Sequence, residues 1–330
     1  MNKWIQLLIG FAISFFGLYL AFKSIDLISV IDSFKSLNYE YIILSILCLL
    51  SSVVVRCYRW RLLLISIKPI DFSSLFASTM IGYFANSVLP FKIGELLRGY
   101  HLSSIKNIKK STVIGSIVLD RTCDMIGLIA LFFIVSLFYT IDSNINITLI
   151  AKIGFSLLFI LFFGFILFKR KFLIDKLIVI SERRSKFLFQ IILFLKSFGA
   201  GFSSLSSKNN LFKIFMYTII IWVLFFLATY AIVLSFNLKI SLLMVVVILL
   251  LTSLAIAVPA APGSVGTHHF AAFYVMSNLL NFSDSISQSF AIVLHAVSYL
   301  PVVIPGAYYF FSSSTKIFDI AKKEMDDQKI

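Results

Sequence analysis

The sequence predicts an all-α, polytopic membrane protein with about six to eight spans and two re-entrant hairpins in inverted orientation. Three observations carry that prediction. First, 60% of the 330 residues are hydrophobic and the mean hydropathy is +1.00, whereas soluble domains run at about 45–50% apolar. Second, the apolar residues gather in uncharged runs such as Ile126–Phe138 and Leu243–Val258. A helix needs roughly 20 mostly apolar residues to cross the hydrocarbon core. Third, two of the runs end in proline and glycine, at Pro90 to Gly94 and at Pro259 to Gly266.

The elements follow in order. Trp4–Phe22 reads as a retained first span, since it is longer than a signal-peptide core and no small-residue cleavage site stands out after it. Tyr41–Val55 is the second, closed by the cluster Arg56-Cys-Tyr-Arg59-Trp60-Arg61. Phe72–Leu89 is apolar and stops at Pro90. Spans are then expected at Thr112–Phe138, Ile147–Phe168, Leu211–Phe236 and Ser241–Val258. A break leads into Phe270–Leu280, and Ser285–Phe311 is the last span. The polar tail follows Ser312. The whole chain, 1–330, reads as a single transmembrane domain.

Loop charge orients these segments. Lys169, Arg170, Lys171, Lys176, Arg183, Arg184, Lys186, Lys196 and Lys208 fill a connection at about 169–210 that belongs on the cytoplasmic side. Arg56, Arg59, Arg61 and Lys68 mark a second basic stretch. Lys92, Arg98, Lys106, Lys109 and Lys110 mark a third. Tyr139–Asn146 and Asn237–Ile240 carry little charge and belong outside. The net charge of +14 is thereby a matter of topology and anionic lipid headgroups, and no nucleic-acid partner is expected. Both termini fall on the cytoplasmic side.

The second and third basic stretches flank Phe72–Leu89, and both belong inside. A full span between them conflicts with that; a hairpin over 72–106 that enters and returns does not. The second break repeats the pattern: Pro90-Phe-Lys-Ile-Gly94 and Pro262-Gly-Ser-Val-Gly266 are both Pro-x-x-x-Gly. A hairpin over 241–283 entering from the opposite side makes the two an inverted pair, although three full spans after Asn237–Ile240 satisfy the charges equally well.

Polar residues inside these segments are the candidate site. Irregular backbone at membrane depth survives only against protein or a wet cavity. Pro262, Gly263 and Gly266 therefore mark either a plain kink or a cavity, with Thr267, His268 and His269 in the first turn of the helix that follows. Such an N-terminus favours an anion. Asn86, Pro90, Gly94, Glu95 and Arg98 surround the first break, and Glu95 and Arg98 share a helix face. Asp120, Arg121 and Asp124 lie roughly 12 to 18 Å along the helix that begins near Thr112. Ionisable groups there cost about 2.5–3.5 kcal/mol each on insertion scales and normally face the bundle interior. Arg121 is the expected cation for both aspartates. Arg56 and Arg59 read as a cytoplasmic anchor or as a phosphate-capturing pair, and His295 as a lone polar residue of the last span. Cys48, Cys57 and Cys123 fit neither a zinc site nor a disulfide framework, and no metal or other cofactor is expected. Soluble catalytic signatures are absent from the sequence.

At these clusters the chain resembles the flippase-like transmembrane region of lysylphosphatidylglycerol synthases and its stand-alone bacterial and archaeal relatives. The resemblance rests on Arg56/Arg59-Trp60, Pro90/Gly94-Glu95/Arg98, Asp120-Arg121/Asp124 and Pro262-Gly263/Gly266, in that order along the chain. Two positions depart from the family pattern: Asp120 stands where Glu is usual, and His269 where Glu is frequent. The aminoacyl-transferring half of the full-length synthases has no counterpart here. The resemblance implies movement of an anionic phospholipid or polyprenyl-phosphate-linked lipid between leaflets of a prokaryotic plasma or inner membrane. It admits a homo-oligomer or a lipid-modifying enzyme as partner. Two rivals stand beside it: a membrane enzyme holding a divalent metal on Asp120 and Asp124, and an accessory subunit.

Overall fold

A computed structural model describes residues 3–23, 27–89, 92–138, 207–257 and 261–327. Among the described residues every regular element is helical, as a lipid environment requires when each backbone N–H and C=O must be satisfied within its own segment. The helices are α1 (Lys3–Phe22), α2 (Leu27–Lys35), α3 (Tyr39–Leu64), α4 (Phe72–Val88), α5 (Gly94–Lys106), α6 (Lys110–Phe138), α7 (Lys208–Ser235), α8 (Leu242–Ala257), α9 (Thr267–Tyr274) and α10 (Asp284–Asp327). A short 3₁₀ turn, Pro262–Ser264, precedes α9, and a π turn, Val275–Leu279, extends it.

Four of the described helices are long and apolar enough to cross a membrane: Tyr39–Leu64, Lys110–Phe138, Asn209–Ser235 and Asp284–Ser313. The protein is an all-α polytopic membrane protein. Its exposed surface carries Phe15, Phe16, Ile43, Leu47, Phe133, Leu137, Phe212 and Ile304, which suits lipid and not water.

The helices around the two breaks are shorter. α4 has 17 residues and α5 has 13. α8 has 16, and α9 with its π turn adds 8 and 5. Each falls below the roughly 20 residues of a full span, and the two pairs are nearly matched in length.

Several boundaries differ from the sequence reading. α3 continues past Val55 to Leu64, so Arg56 and Arg59 are helical and buried, and they cannot be counted as loop charges. The window rule ended the span at its first arginine because it cannot know that carboxylates lie opposite. α10 continues as helix through the expected tail to Asp327. The expected span at 147–168, the basic connection at about 169–210 except its end, and Pro90 and Pro259 lie outside the described residues.

The chain divides into two compact units. One comprises Met1–Val55, Phe76–Arg98 and Ile220–Ile330. Within it, Gly306 of α10 lies against the Met80 carbonyl and Phe84 of α4. Phe84 also meets the rings of Phe310 and Phe311 at 5.2 and 5.8 Å. α1 packs on the start of α9 through small residues. A methyl group on Gly17 would stand 2.9 Å from the carbonyl of Gly266, a close backbone approach of the kind small residues permit in membranes. One turn further along α1, the carbonyl of Ala21 accepts a bond from Gln288 Nε2 of α10 at 3.0 Å.

The other unit comprises Arg56–Leu75 and Gly99–Ile219. Its core holds Trp60, fully buried, whose Nε1 donates to Ser116 Oγ at 3.0 Å. It also ties together the two ends of the α4–α5 hairpin. Lys68 Nζ donates to the Lys106 carbonyl at 2.8 Å, and Lys106 pairs with Asp71. The bond from Lys106 holds the Asp71 carboxyl well below the usual carboxylate range. The chain therefore enters and leaves the hairpin at one end.

Candidate functional site

The first break closes on itself. Asn86, near the end of α4, accepts a bond on Oδ1 from the Gly94 amide at 2.9 Å and donates from Nδ2 to Glu95 Oε1 at 3.3 Å. Asn86 thus caps the first turn of α5, whose leading amides have no partner within their own helix. Glu95 pairs in turn with Arg98 at 2.8 Å, and Arg98 is 1% exposed. A Cβ at Gly94 would collide with the Gly82 carbonyl and with the Asn86 side chain, so glycine is what lets α5 fold back against α4. Lys92 in the break has a φ of 51°.

The second break is an open turn of left-handed residues. Gly263, Ser264 and Gly266 have φ of 68°, 53° and 96°. Pro262 begins the 3₁₀ turn. Ser14 of α1 accepts a bond from the Ala261 amide at 2.7 Å, and its own carbonyl lies where a Cβ on Gly266 would be. Thr267 Oγ1 donates to the Ser264 carbonyl at 3.3 Å. His295 reaches from α10, and its Nε2 donates to the Gly263 carbonyl at 3.0 Å.

These two breaks touch. Lys92 Nζ donates to the carbonyl of Ile256 at the end of α8. Gly263 lies against the Ser87 carbonyl, 3.4 Å from where its Cβ would be. The sequence reading set Asn86, Gly94, Glu95 and Arg98 beside one break and Pro262, Gly263, Gly266, Thr267, His268, His269 and His295 beside the other. All belong to the same compact unit.

The other unit holds the charge network. Arg59, fully buried, donates from Nε to Asp120 Oδ1 at 2.9 Å. Its Nη2 bonds Asp124 Oδ1 at 2.6 Å and the Asp120 carbonyl at 3.1 Å. Its Nη1 reaches Thr218 Oγ1 on α7 at 3.1 Å. Arg56 Nη1 bonds Asp124 Oδ2 at 2.5 Å and stands 3.7 Å from Asp120 Oδ2. Arg121 Nη1 joins Asp124 Oδ2 at 3.1 Å, with its side chain 37% exposed. The aspartates share the helix face expected of an i, i+4 pair. The expected chief cation was Arg121; the structure gives that place to Arg59, and a guanidinium on α3 links α6 to α7.

Sequence reasoning did not single out Ser14, Gly17, Ala21, Thr218, Gln288 or Tyr299. The spacing Ser14, Gly17, Ala21 along one apolar helix was a usable signal, because small residues three and four apart mark a close-packed face. Thr218 and Gln288 gave none, being ordinary polar residues until a partner helix reaches them.

A helical membrane protein with two matched broken hairpins and a buried Arg–Asp network is the class that fold and site define. Residues 7–306 match the lysylphosphatidylglycerol synthase TM region family, and the chain belongs to that family. It is 28% identical over 246 residues to UPF0104 membrane protein MJ1078 of Methanocaldococcus jannaschii, covering 73% of this chain and 99% of that one. It is also 28% identical over 115 residues to UPF0104 membrane protein MJ1595 of the same organism, covering 34% of each.

Proposed function

We propose that this protein moves an anionic phospholipid or a polyprenyl-phosphate-linked lipid between leaflets of a prokaryotic plasma or inner membrane, its basic loops and both termini cytoplasmic. The observation that carries the reading is the meeting of the two breaks, through Lys92 with Ile256 and Gly263 with Ser87. Two helices interrupted at one place bring irregular backbone, a lysine and a buried arginine to the same region. Such backbone inside a membrane protein is tolerated where it lines protein or a wet cavity, and inverted broken hairpins recur in transporters that alternate access around a fixed site. A lipid phosphate entering there finds Lys92 and Arg98 to offset its charge, while Glu95 balances Arg98 when the site is empty. The acyl or prenyl tails remain in lipid.

The enzyme reading is weaker on electrostatic grounds. A divalent metal on Asp120 and Asp124 would have to displace or face Arg56, Arg59 and Arg121, all within 3.7 Å of a carboxylate oxygen.

The experiment is leaflet exchange of fluorescent phosphatidylglycerol in proteoliposomes, normalised to inserted protein. The expected result is exchange by the native chain and its loss in Gly266→Val, where β-branching meets a φ of 96° and the Ser14 carbonyl. Thr267→Val loses one hydroxyl and no backbone donor, and should retain most exchange. Full exchange in Gly266→Val would overturn the role given to the second break.

A further inference from the structure

The second break carries a group of side chains that the transport reading does not use. His268 and His269 of α9 are 2% and 8% exposed. The ring of His295 lies 4.3 Å from that of His269 and 5.3 Å from that of His268, centroid to centroid. Tyr299 stacks on His295 at 4.4 Å, and Phe22 closes the far side of His269 at 5.7 Å. Two imidazole nitrogens are committed: His295 Nε2 donates to Gly263, and His269 Nδ1 accepts from the Gly266 amide at 3.5 Å. His268 Nδ1, buried, makes no hydrogen bond among the described residues.

Among the described residues, the helices packed most closely on these rings bring few charges towards them; Lys23 follows Phe22 at the end of α1, and Lys92 lies at the Ile256 carbonyl. The helices that pack most closely on α9 are α1, α8 and α10, with its own π turn beside them. After Lys3, α1 has no charged residue; α8 has none; and α10 has none between Asp284 and Lys316. Tyr299 also faces the rings, and its hydroxyl is bonded with Ser264. A lone imidazolium in such a place is costly, and so is a lone anion, because burying one uncompensated charge far outweighs burying a neutral pair.

The geometry points to His268, His269 and His295 as a subsite for a phosphate-class oxyanion, filled together with a proton. The claim takes its ligand class from the transport reading. When the anion arrives, one imidazole accepts a proton from water, at His295 Nδ1 or on His268, and the imidazolium and the oxyanion enter as a pair. When it leaves, the proton returns to water and the rings are neutral again. The balance is one proton taken up and one released per occupancy, with no other reactant. A carboxylate at position 269 would not do this, since it would repel the same anion.

The test is calorimetric titration of the purified full-length chain with dihexanoylphosphatidylglycerol, and separately with inorganic phosphate. Each titration is run in two buffers of different ionisation enthalpy, from about pH 6 to about pH 8. We expect about one proton taken up per anion bound, and affinity falling about tenfold per pH unit once the imidazoles are neutral. His268→Gln with His295→Gln should remove the proton uptake and the pH dependence while keeping the native elution profile. Binding of inorganic phosphate with a proton uptake that His268→Gln with His295→Gln abolishes, beyond what phosphate's own ionisation in this pH range takes up, supports the subsite and shows that the phosphate alone suffices; uptake with the lipid alone supports it as a lipid-headgroup site. Binding without proton uptake in the native chain overturns the inference, as does no binding of either probe. Leaflet exchange measured beside it separates the two claims: exchange without proton-linked binding removes the subsite and keeps transport, and proton-linked binding without exchange does the reverse.

Discussion

Arg59 Nε donates to Asp120 Oδ1 at 2.9 Å, with both side chains fully buried. Removing one member of such a pair strips the other of its nearest counter-charge, and breaking a buried pair costs about 3–5 kcal/mol. Arg59→Leu should therefore destabilise the protein severely, seen as loss of the monodisperse peak and a lowered unfolding temperature in detergent. Asp120→Leu combined with Arg59→Leu should recover part of the loss. Additive losses across the double-mutant cycle would show that the two do not share a network.

Arg121 should matter less to stability. Its partner Asp124 keeps Arg56 and Arg59, and its own side chain is partly exposed. Exposed pairs contribute about 0–1 kcal/mol. Arg121→Leu should unfold within a few degrees of the native protein in the same assay, and a loss equal to that of Arg59→Leu would contradict the ranking.

Gly94→Ala should open the first hairpin. The added methyl meets the Gly82 carbonyl and Asn86, and overpacking of this kind costs about 1–3 kcal/mol. Asn86→Ala removes the cap on the Gly94 amide and should cost about 1 kcal/mol. Thermal unfolding of the two variants is the measurement, with Gly94→Ala expected to be the more damaged.

The ends of that hairpin should crosslink. Asp71 and Lys106 form an ion pair, so cysteines in both places should join under mild oxidant in native membranes. A cysteine at Lys106 should also resist membrane-impermeant reagent added outside intact cells, because the flanking stretch is basic. Ready labelling from outside would place the hairpin ends on the wrong face.

His269→Glu should fold, because the neighbouring imidazoles of His268 and His295 can offset a carboxylate. It should weaken selection for an anionic over a zwitterionic lipid in leaflet exchange. An unchanged lipid preference would mean that position 269 does not meet the headgroup.

Much of the architecture is legible in the sequence. Apolar runs gave the spans because lipid admits only segments that satisfy their own backbone. Gly94, Pro262 and Gly266 marked the breaks, because proline lacks a donor, Gly94 admits the close approach of the Gly82 carbonyl and glycine alone tolerates the φ of 96° at Gly266 without strain. The pairing of Glu95 with Arg98 and of Arg121 with Asp124 followed from three-residue helical spacing. Tertiary structure decided the rest. It alone placed Arg59, 61 residues before Asp120, as the chief buried cation, and so carried α3 past the arginines where a hydropathy window stops. It alone set Ser14 under Gly266, Lys92 on Ile256, and His295 beside His268 and His269. Local spacing fixes which residues share one helix face; which faces meet depends on how helices distant in sequence pack, and no single segment carries that information.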